Sequence, residues 1–282
     1  MASRFGARLP TPTYRSFSPE IEALAAEWRR DVVTTLPWTI VDPDQVMPGE
    51  ARTSFVSAGR IAGFAKPGRN QPSVFELPRA AHEKIAADLA YELGLPVPPA
   101  VLWARPNVAS GQEKYLSISA QPFAPVVPWR MVLRASPGVM ARLLPKLNVA
   151  ASAMAPFDTW LGNADRPNPG NVVLHQEQST GELRVAYIDF ANALPRAWLE
   201  QGAWSTIVPV ACYPPCGAAD LAVMSQVMER IEQLAPGTIK DIVERIPQGF
   251  LSGQRREVIV EGLLHRQTRL RMAMKKEYPG LP

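Results

Sequence analysis

Apolar positions recur at helical spacing over residues 19–34, where Ile21, Leu24, Ala25, Trp28 and Val32 line one face. The pattern changes at 53–66. Thr53-Ser54-Phe55-Val56 and Ile61-Ala62-Gly63-Phe64-Ala65-Lys66 read as two strands joined by a turn at Ser57-Ala58-Gly59-Arg60, and Pro67-Gly68-Arg69-Asn70 breaks the pattern off. A helix follows over 79–93, with Ile85, Leu89 and Leu93 on one face and Gly94 as its C-cap. Strands at 100–104 and 115–119 lead to Gln121-Pro122-Phe123. From there the chain is mainly helical: 139–161 as one long or two shorter helices, then 218–234, 240–245 and a long basic amphipathic helix over 255–276. One hairpin interrupts the helices, pairing Val172-Val173-Leu174 with 185–188 through a turn at Gln178-Ser179-Thr180-Gly181. Residues 195–210 read as irregular. Strands with one helix, then helices with one hairpin, is an α+β order. It divides the chain into an accessory segment (1–50), a small β-rich lobe with one helix (51–124) and a larger helical lobe carrying the hairpin (125–282).

With 282 residues, 46% apolar and 20% charged, the chain is long enough to bury a large core and too apolar to be disordered. No apolar run approaches the roughly 18 residues that cross a bilayer. Residues 1–8 lack the apolar centre of a signal peptide, so a cytoplasmic protein with no membrane partner is expected. A net charge of +4 suits a phosphate pocket as well as a weak nucleic-acid surface, and so chooses neither. The 29 prolines are about twice the usual share and predict interrupted helices. Cys212 and Cys216 form Cys-Tyr-Pro-Pro-Cys with no second pair to complete a zinc site, which leaves structural thiols or a redox pair. His82, His175 and His265 have no metal-ligand spacing.

The candidate chemistry gathers at residues 163–190. A polar Asn-Ala-Asp-Arg-Pro-Asn-Pro-Gly-Asn loop separates an apolar helix from the first hairpin strand, and Asp189 ends the second. Read along the chain, Asp165 and Asn171 stand at one end of the hairpin and Asp189 at the other. Phosphoryl transfer needs this inventory: a carboxylate to take the proton of an attacking hydroxyl, and an amide and a carboxylate to hold Mg²⁺. Asp165 is the candidate base, Asn171 and Asp189 the candidate metal ligands, with Asn168 the competing asparagine. Arg166 and Asn163 brace the loop, unless Arg166 meets a substrate phosphate, and Asp158 reads as a structural residue. Lys66 at a strand end can reach phosphates, and Glu83 in the next helix can pair with it. Taken singly, each of these residues has an ordinary structural reading as a loop, strand-end or surface residue. Gly59 and Ser57 occupy the turn where a nucleotide-covering loop is expected, although Ser57-Ala58-Gly59-Arg60 is not a G-x-G-x-x-G. The step from Asp165 to Asn171 is six residues where the kinase catalytic loop uses five, so a bulge at Gly170 is expected to absorb one. Asp189-Phe190 is followed by Ala191 and not by glycine. The charges of Arg255, Arg256 and 266–276 read as the solvated face of a terminal helix.

Residues 157–166, Gly170-Asn171-Val172-Val173-Leu174, Tyr187-Ile188-Asp189-Phe190 and the helix 81–90 ending in Leu93-Gly94-Leu95-Pro96-Val97-Pro98 together resemble the HipA-like kinases. These are distant relatives of the phosphatidylinositol-kinase superfamily, and the resemblance covers about residues 50–275. It implies a bilobal kinase-like fold and an ATP- and Mg²⁺-dependent transfer to a protein serine or threonine. Asp165 would be the catalytic base, Asn171 and Asp189 the metal ligands, Lys66 and Glu83 the phosphate pair, and Gln121 to Phe123 a hinge reading adenine through its backbone. An antitoxin-like or other regulatory protein partner is compatible with it, and direct nucleic-acid contact is not implied. Two other classes are left open by the residues themselves: a pseudokinase that binds nucleotide or protein without turnover, and a basic nucleic-acid-associated protein.

Overall fold

The structure, a computed structural model, describes residues 13–41, 46–47, 53–67, 78–106, 113–124, 126–132, 134, 137–194, 205–215 and 219–282. The break expected at 68–70, residues 195–204 of the expected irregular stretch, and Cys216 lie outside them.

The first helix, α1 (Pro19–Arg30), is capped by the Ser18 hydroxyl and buries Leu24, Ala25 and Trp28. It stops four residues short of the expected end. Val32, Val33 and Thr34, β-branched and poor in helices, instead run beside Leu102, which exchanges backbone hydrogen bonds with Val32 and Thr34. Two short strands, β1 (Thr39–Ile40) and β2 (Val46–Met47), both pair antiparallel with β3 (Thr53–Ala58). With β4 (Ile61–Pro67), β5 (Ala100–Pro106) and β6 (Glu113–Ala120) they form a six-stranded sheet, ordered β1-β3-β4-β6-β5 with β2 beside β3. Residues before 50 therefore supply part of the sheet edge as well as the helix that covers one of its faces.

The two-residue alternation of strand side chains divides the apolar residues between two cores. Val101 and Trp103 meet Trp28, Trp38, Ala65 and Ile118 on the α1 side. Ala100 and Leu102 face α2 (Arg79–Leu93), which ends at Gly94 in the left-handed conformation its C-cap demands. Lys66, one residue beyond Ala65, consequently points to the α2 side. Within α2 every residue is buried except Arg79, Tyr91 and Glu92, and the helix also touches α5 (Leu221–Gln233) and α6 (Pro236–Glu244).

The second sheet joins β7 (Val127–Pro128) to the hairpin β8 (Val172–Gln176) and β9 (Leu183–Tyr187). Around it stand α3 (Trp129–Val132), α4 (Pro137–Leu161), α5, α6, α7 (Gly253–Gln267) and α8 (Leu270–Glu277). The stretch 139–161 is one helix that runs through Pro145 and Pro156. The single terminal helix expected at 255–276 is broken into α7 and α8 at Thr268–Arg269. Arg266 does not face solvent there. It is 2% exposed, and its guanidinium donates to the Trp160 carbonyl at 2.8 Å, the Thr206 carbonyl at 3.0 Å and the Thr159 carbonyl, holding the C-terminal end of α4. Burial pushes its pKa down to about 10.

The segment 13–18 forms a strap behind the lobes. Tyr14 donates its amide to Gly94, Arg15 donates to the carbonyls of Leu95 and Val97, Phe17 stacks near Phe123, and the Ser16 carbonyl accepts from Arg184 of β9. Among the described residues no helix is long and apolar enough to cross a membrane.

Candidate active site

The candidate catalytic loop hangs from the end of α4. Asp158, in the last turn of that helix, is fully buried and takes a two-pronged contact from Arg166, 2.7 Å from Nε and 3.1 Å from Nη2. Asn163 donates a further 2.8 Å bond to the same carboxylate. Nη1 of Arg166 donates at 3.0 Å to the carbonyls of both Asn171 and Ile188, and the guanidinium lies over the rings of Tyr187 and Phe190. Arg166 thus stitches the loop to both hairpin strands and faces away from any substrate. Asp158 acts through its carboxylate, not as a helix cap.

With Arg166 turned inward, Asp165 faces the cleft. Its carbonyl accepts from the Asn168 amide at 3.1 Å, and the Asn168 carbonyl accepts from the Asn171 amide at 3.0 Å. These two consecutive turns absorb the extra residue without a left-handed glycine: Gly170 donates its amide to the Asn168 side chain at 3.0 Å. The second turn delivers the Asn171 amide group to Asp165, 2.9 Å from its carbonyl and 3.2 Å from Oδ2.

The hairpin register corrects the linear reading. Val172 pairs with Tyr187, and the Ile188 amide donates to the Asn171 carbonyl at 2.9 Å, so Asn171 and Asp189 emerge at the same end. Asp189 lies beyond β9 with φ of 64°, a left-handed conformation that aspartate tolerates better than most residues. One of its oxygens is 3.0 Å from the Lys66 ammonium. Glu83 completes this group. Its Oε1 accepts from Lys66 at 2.8 Å, and its Oε2 accepts from the Phe190 amide at 3.1 Å. Burial opposes the Lys66 charge, but the Glu83 and Asp189 carboxylates outweigh it and hold the lysine above its ordinary range. Burial likewise opposes the Asp189 carboxylate, yet Lys66 and the Ala191 amide hold it below the usual carboxylate range.

These groups line one cleft of about 290 Å³ between the lobes, together with Thr53, Phe64, Arg79, Ser119, Pro122, Arg130, Asn168, Val173 and Asn192. Lys66, Asp165, Asn168, Asn171 and Asp189 are brought together there, with Glu83 behind Lys66. Ser57 and Gly59 are not. Ser54 pairs with Ala65 whereas Ala58 pairs with Ile61, so the Gly59 turn sits at the end of the hairpin remote from Lys66. The turn itself contracts to Gly59 and Arg60, with Ser57 in β3 facing Thr39. Thr53 is the β3 residue at the cleft.

Nor do Gln121 and Phe123 present their side chains to it. The Gln121 amide is spent on the Ala62 carbonyl at 2.9 Å. Phe123 is buried between Phe17 and His175, and both residues line a separate groove against α1 on the other side of the linker. Pro122 and Val126 are linker residues that line the cleft. Asn192 was not marked by any sequence pattern, because a lone asparagine in a loop has no periodicity to betray it.

Behind the cleft His82 is 2% exposed, and a ring nitrogen lies 3.3 Å from the Ala191 carbonyl. The carbonyl can only accept, so the facing Nδ1 carries the proton. Burial pushes the His82 pKa down from 6.5 to about 4. A lowered histidine pKa means that the unfolded chain binds the proton first as pH falls. The stability due to neutral His82 is complete above pH 6.5 and is lost on the way to pH 4. The loss between pH 7 and pH 5 is expected to be about 2 kcal/mol. Urea midpoints of wild type and His82→Asn, which keeps an N–H donor but cannot titrate, check this: the variant should lose that part of the pH slope.

The α+β architecture, with an antiparallel sheet and one enclosed helix on one side of the cleft and helices with a hairpin on the other, defines a bilobal kinase-like fold. One solved structure agrees. The chain is similar to the proinflammatory kinase CtkA of Helicobacter pylori, with a TM-score of 0.60 at 17% identity over 89% of this chain and 100% of that one. Less similar are WaaP, solved in complex with acyl carrier protein (TM-score 0.36, 15% identity, 88% and 98% covered), and the MAP kinase LmaMPK10 of Leishmania major (TM-score 0.34, 12% identity, 92% and 86% covered). No protein-family model matches the sequence, and no curated protein matches it significantly.

Proposed function

We propose that this protein is a kinase of the HipA-like type that uses ATP and Mg²⁺ to phosphorylate a serine or threonine hydroxyl of a protein. The observation that carries the reading is the convergence of Asp165, Asn171, Asp189 and the Lys66–Glu83 pair on one cleft. Asp165 takes the proton as the acceptor oxygen attacks the γ-phosphorus. The new O–P bond forms as the bond from that phosphorus to the β–γ bridging oxygen breaks, and ADP leaves. Lys66, kept charged by its carboxylate partners, meets phosphate oxygens, and Glu83 fixes its direction. The oxygen donors of Asp189 and Asn171 suit Mg²⁺. With its side-chain nitrogen committed to Asp165, Asn171 has its side-chain oxygen Oδ1 left to coordinate. When bound, the ion neutralises phosphate charge. Charge neutralisation and positioning, not covalent chemistry, then supply the rate.

The six-residue step that would favour a pseudokinase is closed by the two turns, which supports turnover over binding alone. Thermal unfolding tests the nucleotide site without knowledge of the acceptor. ATP with Mg²⁺ at 100 times the dissociation constant is expected to add about 2.7 kcal/mol. That raises the midpoint by several degrees, at about 2–4 °C per kcal/mol. The rise should need Mg²⁺ and vanish in Asp189→Ala; a wild type that shows none overturns the reading.

A further inference from the structure

Asp165 is held from two directions on one oxygen. Besides Asn171, the side-chain amide of Asn192 donates to Oδ2 at 3.3 Å. Among the described residues Oδ1 carries no hydrogen bond. We propose that Asn192 is a positioning residue for phosphoryl transfer: with Asn171 it fixes the rotation of the Asp165 carboxylate so that Oδ1 meets the acceptor hydroxyl. The inference rests on the kinase reading above.

The last torsion of an aspartate is broad, so a carboxylate held by one donor swings about that contact. A second donor on the same oxygen leaves one orientation. Both donors are neutral amides. Arg166 is paired with Asp158, and Lys66 with Glu83 and Asp189.

The backbone gives Asn192 a fixed place. Phe190 is tied by its amide to Glu83 at 3.1 Å, the Ala193 amide closes a turn onto the Phe190 carbonyl at 3.0 Å, and the Leu194 amide is anchored on Leu161 at 2.9 Å. One short turn thus begins at Asp189, on the phosphate side of the cleft, and reaches Asp165, on the acceptor side, through Asn192. The spacing between the two sides is set by that turn.

The test is Mg²⁺-ATP turnover, read as ADP release by the full chain, for wild type, Asn192→Ala and Asn192→Asp, with thermal midpoints alongside. Asn192→Ala is expected to lower kcat about tenfold, since small misplacements of a reacting group cost up to about a hundredfold. Its KM for ATP should stay within about twofold, because no nucleotide contact is lost. Asn192→Asp keeps the shape but replaces the donor with a negative charge next to Asp165, and should be slower than Asn192→Ala. A packing role predicts the reverse order, the isosteric aspartate being milder. Wild-type kcat in both variants, the reverse order, or a change in KM alone overturns the role of Asn192 and leaves the kinase reading standing. A folded wild type that neither releases ADP nor shows the Mg²⁺-dependent rise in midpoint with ATP overturns both.

Discussion

Replacement of Asp165 by alanine is expected to lower phosphoryl transfer by about a thousandfold, within the 10²–10⁴ range that a positioned general base supplies. The loss should fall on kcat. Asp165 touches neither Lys66 nor Asp189, so the ATP- and Mg²⁺-dependent rise in thermal midpoint should survive the change. Folding should survive as well, because the loop is held by Arg166 and Asp158 and not by the Asp165 carboxylate. Single-turnover transfer from labelled ATP together with midpoints in the presence of nucleotide checks both halves. An Asp165→Ala protein that transfers phosphate at the wild-type rate would remove Asp165 from the mechanism as its base.

The second large effect is on stability. Arg166 is 1% exposed and has the fully buried Asp158 as its counter-charge. Removing one member of such a pair strands the other and typically costs about 3–5 kcal/mol. Arg166→Ala would also free the carbonyls of Asn171 and Ile188. A drop of about 10 °C in midpoint is expected at 2–4 °C per kcal/mol. Arg166→Lys should recover little of it, because an ammonium cannot supply the fork that meets both carboxylate oxygens and both carbonyls. Urea unfolding of the two variants settles the size. A loss below about 1 kcal/mol would show that the loop does not depend on this arginine.

How far the site could be read in advance depended on how local each signal is. Asp165, Asn171 and Asp189 stood out because polar residues were framed by apolar runs that had to be a helix and two strands. Glu83 followed from one helix after one strand, and the pairing with Lys66 has the geometry that spacing suggested. Ser57 and Gly59 were misplaced because a turn sequence does not say which end of the sheet faces the cleft; that is decided by the register Ser54 to Ala65. Gln121 to Phe123 came from the family resemblance, as a hinge acting through its backbone; the Gln121 amide is bonded to the Ala62 carbonyl, and Phe17 draws the Phe123 ring away from the cleft. Arg266 looked like one more charge on a basic helix. Its burial depends on the carbonyls ending α4, about a hundred residues earlier, which no periodicity reports. Asn192 likewise acquires its role only when the turn after β9 folds back on the catalytic loop.

The enclosure of α2 has a consequence for control. Glu83 is carried by α2, which is packed against β4, β5, β6, α5 and α6 at once. Lys84, fully buried next to it, adds a bond from its ammonium to the Trp28 carbonyl of α1 and a 2.7 Å pair with Asp88. A swing of this helix would have to break its packing against all of these elements, which disfavours inhibitors that work by selecting a displaced helix. Selective small molecules against this protein should therefore be sought among those that fill the mouth of the cleft near Arg79, Arg130 and Asn168.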